Sequence, residues 1–144
     1  QMATTGPTAF IGTSLGGYFS ATMGRLWSRP AILINPSCDP HWALAHYLGL
    51  PLRNHKLPQE EARELLPASV DSYAGEALPT DPSAYPIAPR LLLDLGDELL
   101  DSTATLNSYG PFMQPLTFEG GSHRFEHMSE ALDNIATYLQ QHLT

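Results

Sequence analysis

The spacing of apolar positions changes repeatedly along this chain, and each change marks an element. Pro7 to Ile11 is a short β-prone run that leads directly into Gly12-Thr13-Ser14-Leu15-Gly16-Gly17. Beyond it Leu15, Phe19, Met23, Leu26 and Trp27 recur at three- and four-residue steps, which predicts a helix over 15–27 that Pro30 ends. Ala31 to Ile34 is apolar at every position, as a parallel strand covered on both faces should be, and Asn35-Pro36 closes it. Residues 40–49 and 58–66 predict two short helices, the second opening at Pro58 with Glu60 and Glu61 near its positive end. Leu91 to Leu95 predicts a third strand, Leu99 to Tyr109 a helix and Pro115 to Phe118 a fourth strand. A last helix over 126–142 places Met128, Leu132, Ile135, Leu139 and Leu143 on one face. Strands alternating with helices predict an α/β fold, a parallel sheet flanked by helices.

Composition narrows this picture without changing it. The 144 residues suit a single domain over 1–144, with a helical and loop excursion at about 36–89, where many of the 13 prolines fall. A formal charge of −8, with 7 scattered basic residues, argues against nucleic acid as a partner. No apolar run approaches the roughly 20 residues of a membrane span. The lone Cys38 excludes an internal disulfide framework and any multi-cysteine zinc site, and the expected compartment is a reducing cytoplasm.

The chemistry concentrates in three places. Gly12-Thr13-Ser14-Leu15-Gly16 is a G-x-S-x-G pattern lying between a predicted strand and a predicted helix. That context gives the pattern mechanical meaning, because a tight strand-to-helix turn exposes the serine hydroxyl at the carboxyl edge of the sheet. The helix start then offers the Leu15 N–H to a developing oxyanion. The same glycines also fit a turn that merely joins strand to helix. An acid and a histidine follow in the order that serine hydrolases of this kind use: Asp97 after the third strand and His123 after the fourth. Parallel strands would place both loops on the edge that carries Ser14. Asp94, inside the strand pattern, and Asp101, at the following helix, compete with Asp97 for the acid role, and Asp97 also suits a helix N-cap.

Other signals carry less. His41, His46, His55, His127 and His142 read as surface or packing residues. His123-Arg124-Phe125-Glu126-His127 matches the inverted zinc-protease motif, but the first histidine falls before the helix that the motif requires, so no metal and no cofactor are expected. Cys38, close to a strand end, reads as a packed thiol.

These residues resemble the α/β-hydrolase superfamily and, within it, the small YqiA-type esterases (uncharacterised protein family 0227). The matching pieces are Ile11-Gly-Thr-Ser-Leu-Gly-Gly-Tyr18, Asn35-Pro36, Tyr47-Leu48-Gly49, Gly96-Asp97-Glu98-Leu-Leu-Asp101 and Glu119-Gly-Gly-Ser-His123, in order along almost the whole chain. The family usually has Asn or Asp in place of Ser122 and Ala in place of Ser37. The resemblance implies Ser14 as nucleophile, Asp97 as acid and His123 as base. It also implies a preceding strand, a His-Gly-Phe segment that supplies the second oxyanion donor, and two helices. The chain opens instead at Gln1. The expectation is therefore an N-terminally incomplete domain whose missing segment, or a second chain, completes the sheet.

The functional expectation is a serine hydrolase that cleaves small carboxylic esters or thioesters through an acyl-enzyme. Residues 36–89, with Trp42, Leu44, Tyr47, Leu48 and Leu50, would shape a modestly apolar pocket. The competing expectation is a non-catalytic domain of the same fold that binds a small ligand or a protein.

Overall fold

A computed structural model describes residues 6–52 and 63–143. The described residues divide into two compact units, one drawn from Gln1–Cys38 with Leu78–Thr144 and the other from Asp39–Ala77.

The first unit is built on a four-stranded sheet. Its strands are β1 (Phe10–Ser14), β2 (Ala31–Pro36), β5 (Arg90–Asp94) and β6 (Pro115–Phe118), in the spatial order β1-β2-β5-β6. Every pairing is parallel. Ile32, Leu33 and Ile34 of β2 and Leu91, Leu92 and Leu93 of β5 are all buried, which is why these two strands are apolar at consecutive positions. The outer strands alternate instead: β1 and β6 are half-buried at every second residue and exposed between. The α/β architecture with a parallel sheet is thus the one the hydrophobic pattern predicts.

Among the described residues, three α-helices belong to this unit: α1 (Leu15–Trp27), α4 (Ser102–Tyr109) and α5 (Met128–His142). The buried face of α1 differs from the expected stripe. Gly17, Tyr18, Ser20, Ala21 and Gly24 are buried, while Phe19, Leu26 and Trp27 are exposed among the described residues. The reason is close packing on β2: a Cβ on Gly17 would lie 2.8 Å from the Pro36 side chain. Gly17, Ser20, Ala21 and Gly24 let the helix axis approach the sheet, and Phe19, Leu26 and Trp27 turn away, while Tyr18 is buried with the small residues. On α5, Ala131 and Tyr138 are buried and Ile135 and Leu139 pack against the cluster of Ile32, Ile34 and Leu92. Met128 and Leu132 of the expected face are exposed. Helix α4 begins at Ser102 rather than Leu99, because the Asp101 side chain accepts from the Ala104 N–H and sets the cap there.

The second unit holds α2 (Pro40–Ala45), β3 (Pro51–Leu52), β4 (Arg63–Glu64) and α3 (Pro67–Asp71). Asp39 caps α2 by accepting from the Trp42 N–H. The helix expected over 40–49 stops at Ala45, and the one expected over 58–66 lies partly outside the described residues. Its described end is not helical: Arg63 and Glu64 pair antiparallel with Leu52 and Pro51. Here a local cross-strand pairing overrides a weak helical pattern.

Among the described residues, no helix is long and apolar enough to cross a membrane.

Candidate active site

The parallel sheet brings its strand ends to one edge, and the candidate residues collect there. Ser14 is the last residue of β1 and α1 begins at Leu15, so no loop separates strand from helix. The turn forces Ser14 to φ 52° and ψ −124°, a conformation that non-glycine residues seldom adopt. Gly12 makes the turn possible: a Cβ there would fall on the Gly16 carbonyl. The pairing register of β1 on β2 shifts between Thr13 and Ser14, and the Ser37 N–H donates to the Ser14 carbonyl. The strained residue is thereby held from both sides.

Asp97 and His123 lie on the loops that follow β5 and β6. The two loops meet backbone to backbone, with the Gly96 N–H donating to the Gly120 carbonyl at 2.7 Å. A Cβ on Gly96 would lie 2.7 Å from the Gly121 carbonyl oxygen, so only glycine lets the loops come this near. The contact delivers the two side chains to each other. His123 Nδ1 lies 2.9 Å from Asp97 Oδ2 and 3.1 Å from Oδ1, and His123 Nε2 lies 2.9 Å from Ser14 Oγ.

A carboxylate only accepts, so the neutral His123 tautomer that bonds Asp97 carries its hydrogen on Nδ1 and leaves Nε2 to accept from the Ser14 hydroxyl. Asp97 Oδ1 also accepts from the N–H groups of Leu99 and Leu100, each at 2.9 Å. Its side chain is 1% exposed and that of His123 18%, so the acid is shielded while the imidazole can be reached. The expected alternative use of Asp97, as a helix cap, falls to Asp101.

Four further residues around this trio take roles that the sequence did not assign to them. Glu98 accepts from the His123 backbone N–H at 2.9 Å, and that bond holds its carboxyl below the usual range. His127, expected at the surface or in packing, points Nδ1 at the buried Asp94 at 2.7 Å and stacks on Phe118. Asp94 itself, the rival acid, contacts His127 and two backbone N–H groups of the His123 loop. Asn35 joins the same loop through its side-chain amide. A signal for these did exist. Asn35 and Asp94 are the polar ends of otherwise apolar strands, where a buried amide or carboxylate must find partners.

His123 and His127 turn their Nδ1 atoms to different carboxylates, and the described residues contain no group of three or more His, Cys, Asp or Glu side chains able to hold a metal.

The family model described as an uncharacterised protein family, UPF0227, covers residues 1–140. The chain belongs to UPF0227. That match runs through every residue of the Ser14–His123–Asp97 arrangement, so this UPF0227 member carries the trio within the matched region.

Proposed function

We propose that this UPF0227 protein is a serine hydrolase of the α/β-hydrolase type, acting on small carboxylic esters or thioesters. The observation that carries the reading is the unbroken relay from Ser14 Oγ to His123 Nε2 and from His123 Nδ1 to Asp97, with both links at 2.9 Å. A surface histidine has no reason to satisfy both ring nitrogens with an acid and a serine at the mouth of a strained turn.

In the first half-reaction Ser14 Oγ bonds to the acyl carbon and its proton passes to His123 Nε2. The carbonyl electron pair moves onto oxygen, where the Leu15 N–H donates to it. Leu15 is the first residue of α1, so its N–H has no partner within the helix and lies at the positive end of the dipole. Collapse expels the alcohol or thiol, which takes the proton from His123 and leaves Ser14 acylated. In the second half, water gives a proton to His123 and its oxygen to the acyl carbon. The carboxylic acid leaves and Ser14 regains its hydrogen. Asp97 holds the imidazole tautomer and stabilises its transient positive charge.

The experiment is hydrolysis of an activated short-chain ester by wild type and Ser14→Ala, with fluorophosphonate labelling of both. The expected loss in the variant is at least about 10³-fold, as removal of a triad member gives elsewhere. Equal rates, or labelling that survives in Ser14→Ala, would rule out the reading, and a wild type whose Ser14 takes no label would favour a non-catalytic binding domain.

A further inference from the structure

The His123 loop has no regular secondary structure to hold it, yet it must keep an imidazole within hydrogen-bond reach of two other chain segments. Two strand-end side chains meet that requirement. Asn35, at the end of β2, is 2% exposed and has φ 40°. Its Oδ1 accepts from the Asp94 N–H at 2.9 Å, and its Nδ2 donates to the carbonyls of Ser122 at 2.9 Å and His123 at 3.3 Å. Asp94, at the end of β5, is 0% exposed. Its Oδ2 accepts from the N–H groups of Ser122 at 3.2 Å and Glu126 at 2.7 Å, and its Oδ1 accepts from His127 Nδ1. The peptide groups on both sides of the His123 side chain are therefore tied to the sheet.

The loop is shaped to accept this grip. A Cβ on Gly121, at φ 72°, would fall on the Asp94 carboxylate. Phe125 closes the turn with its N–H on the Ser122 carbonyl and buries its ring against Phe118. A carboxylate removed from water this completely is costly unless every lone pair is used, and here its oxygens are spent on the loop that carries the base.

We infer that Asn35 and Asp94 are positioning residues for His123: they clamp residues 122–127 to the ends of the two central strands and so set the imidazole between Ser14 and Asp97. The inference rests on the hydrolase reading and adds a second pair of residues, outside the trio, on which turnover depends. Neither side chain has a bond to Ser14 Oγ or to the His123 ring, so their effect passes through the loop backbone.

The test uses the purified full chain, with fluorophosphonate labelling and steady-state hydrolysis of an activated short-chain ester. Asn35→Gly keeps the backbone free to adopt positive φ and removes the amide, while Asp94→Leu removes all three acceptor contacts. Each is expected to lower kcat about 10- to 100-fold with KM changed by less than about twofold, the signature of a displaced catalytic group. Asp94→Asn keeps an oxygen for the two N–H groups and should recover most of the rate lost in Asp94→Leu. A kcat within about threefold of wild type, a loss confined to KM, or no difference between the leucine and asparagine variants would overturn the inference. If Asp94→Leu does not fold, Gly121→Ala carries the test from the outer loop. Its methyl must push the loop off the carboxylate, and a similar fall in kcat supports the clamp, while an unchanged kcat overturns it. A wild type that is itself unreactive overturns the hydrolase reading and the clamp together. A reactive wild type with unaffected variants overturns the clamp alone.

Discussion

Two histidine–aspartate pairs lie close together in this protein, the histidines four residues apart and the aspartates three, and their surroundings differ. His123 meets Asp97 at 2.9 Å and His127 meets Asp94 at 2.7 Å, each through Nδ1. The acids are equally sheltered, with side chains 1% and 0% exposed. The difference lies in what else each member touches. His123 passes its other nitrogen to the hydroxyl of a strained serine. The His127 ring instead lies flat on Phe118, 4.8 Å between centroids, and its partner Asp94 takes two backbone N–H groups. The comparison teaches that a buried His–Asp pair is not itself a sign of catalysis. On the proposed reading, the group at the far end of the imidazole decides whether the pair moves protons or fastens a loop.

The largest expected effect separates the two acids. Asp97→Asn should lower turnover about 10⁴-fold while leaving the fold intact, because an amide favours the imidazole tautomer that cannot accept from Ser14. Asp94→Asn should cost far less, since its role is met by an oxygen facing two N–H groups. Ester hydrolysis by the two purified variants, with near-ultraviolet circular dichroism as the check on folding, measures the contrast. Equal losses would mean that the two pairs are functionally alike.

A middling effect is expected on stability from the other histidine. His127→Phe keeps a ring against Phe118 and removes the donor to Asp94, leaving a buried carboxylate with one partner fewer. The expected cost is about 1–3 kcal/mol, read as a lower urea midpoint at unchanged slope. Removing a hydroxyl from partly exposed Ser14 should move that midpoint by less, so stability and activity would sort the two ends of the site.

The smallest effect belongs to Glu98. Its carboxylate is favoured by the His123 N–H it accepts, so it is held in the charged form below the usual glutamate range. A group with a lowered folded-state value contributes while ionised and loses its contribution as pH falls through that value. Glu98→Gln should therefore lower stability slightly at neutral pH, where the wild-type carboxylate is ionised. The stabilities of variant and wild type should converge as the medium passes below roughly pH 4, where glutamate ordinarily titrates, and through the lower value that Glu98 has in the fold. A pH–stability series on both proteins checks this.

Much of the architecture was readable in the chain, and the reasons are physical. Ala31 to Ile34 and Leu91 to Leu93 are apolar without alternation because both faces are covered, and this announced the two central parallel strands. The Ser14 turn was visible because a strand that becomes a helix without a loop needs glycine where backbones touch. What could not be read was any contact fixed by tertiary approach. The buried face of α1 is mostly small because β2 lies close, so Phe19 and Leu26 turned outward against a periodic pattern that marks an apolar stripe but not its direction. Arg63 and Glu64 joined a strand because Pro51 and Leu52 lay opposite. The partners of Asp94 depend on a loop that approaches from 28 to 33 residues further along the chain, which no local window contains.

The bond between His123 and Ser14 spans 109 residues, and it has a consequence for how the protein is made. Contacts that close so long a loop are paid for in chain entropy before they return anything, and they form late. The hydroxyl, the imidazole and the carboxylate each come from a different strand end, so the relay cannot exist in a half-assembled chain. On the proposed hydrolase reading, a nascent or partly opened molecule would therefore be chemically silent, and reactivity toward an acyl group would require the ends of β1, β5 and β6 to be assembled together.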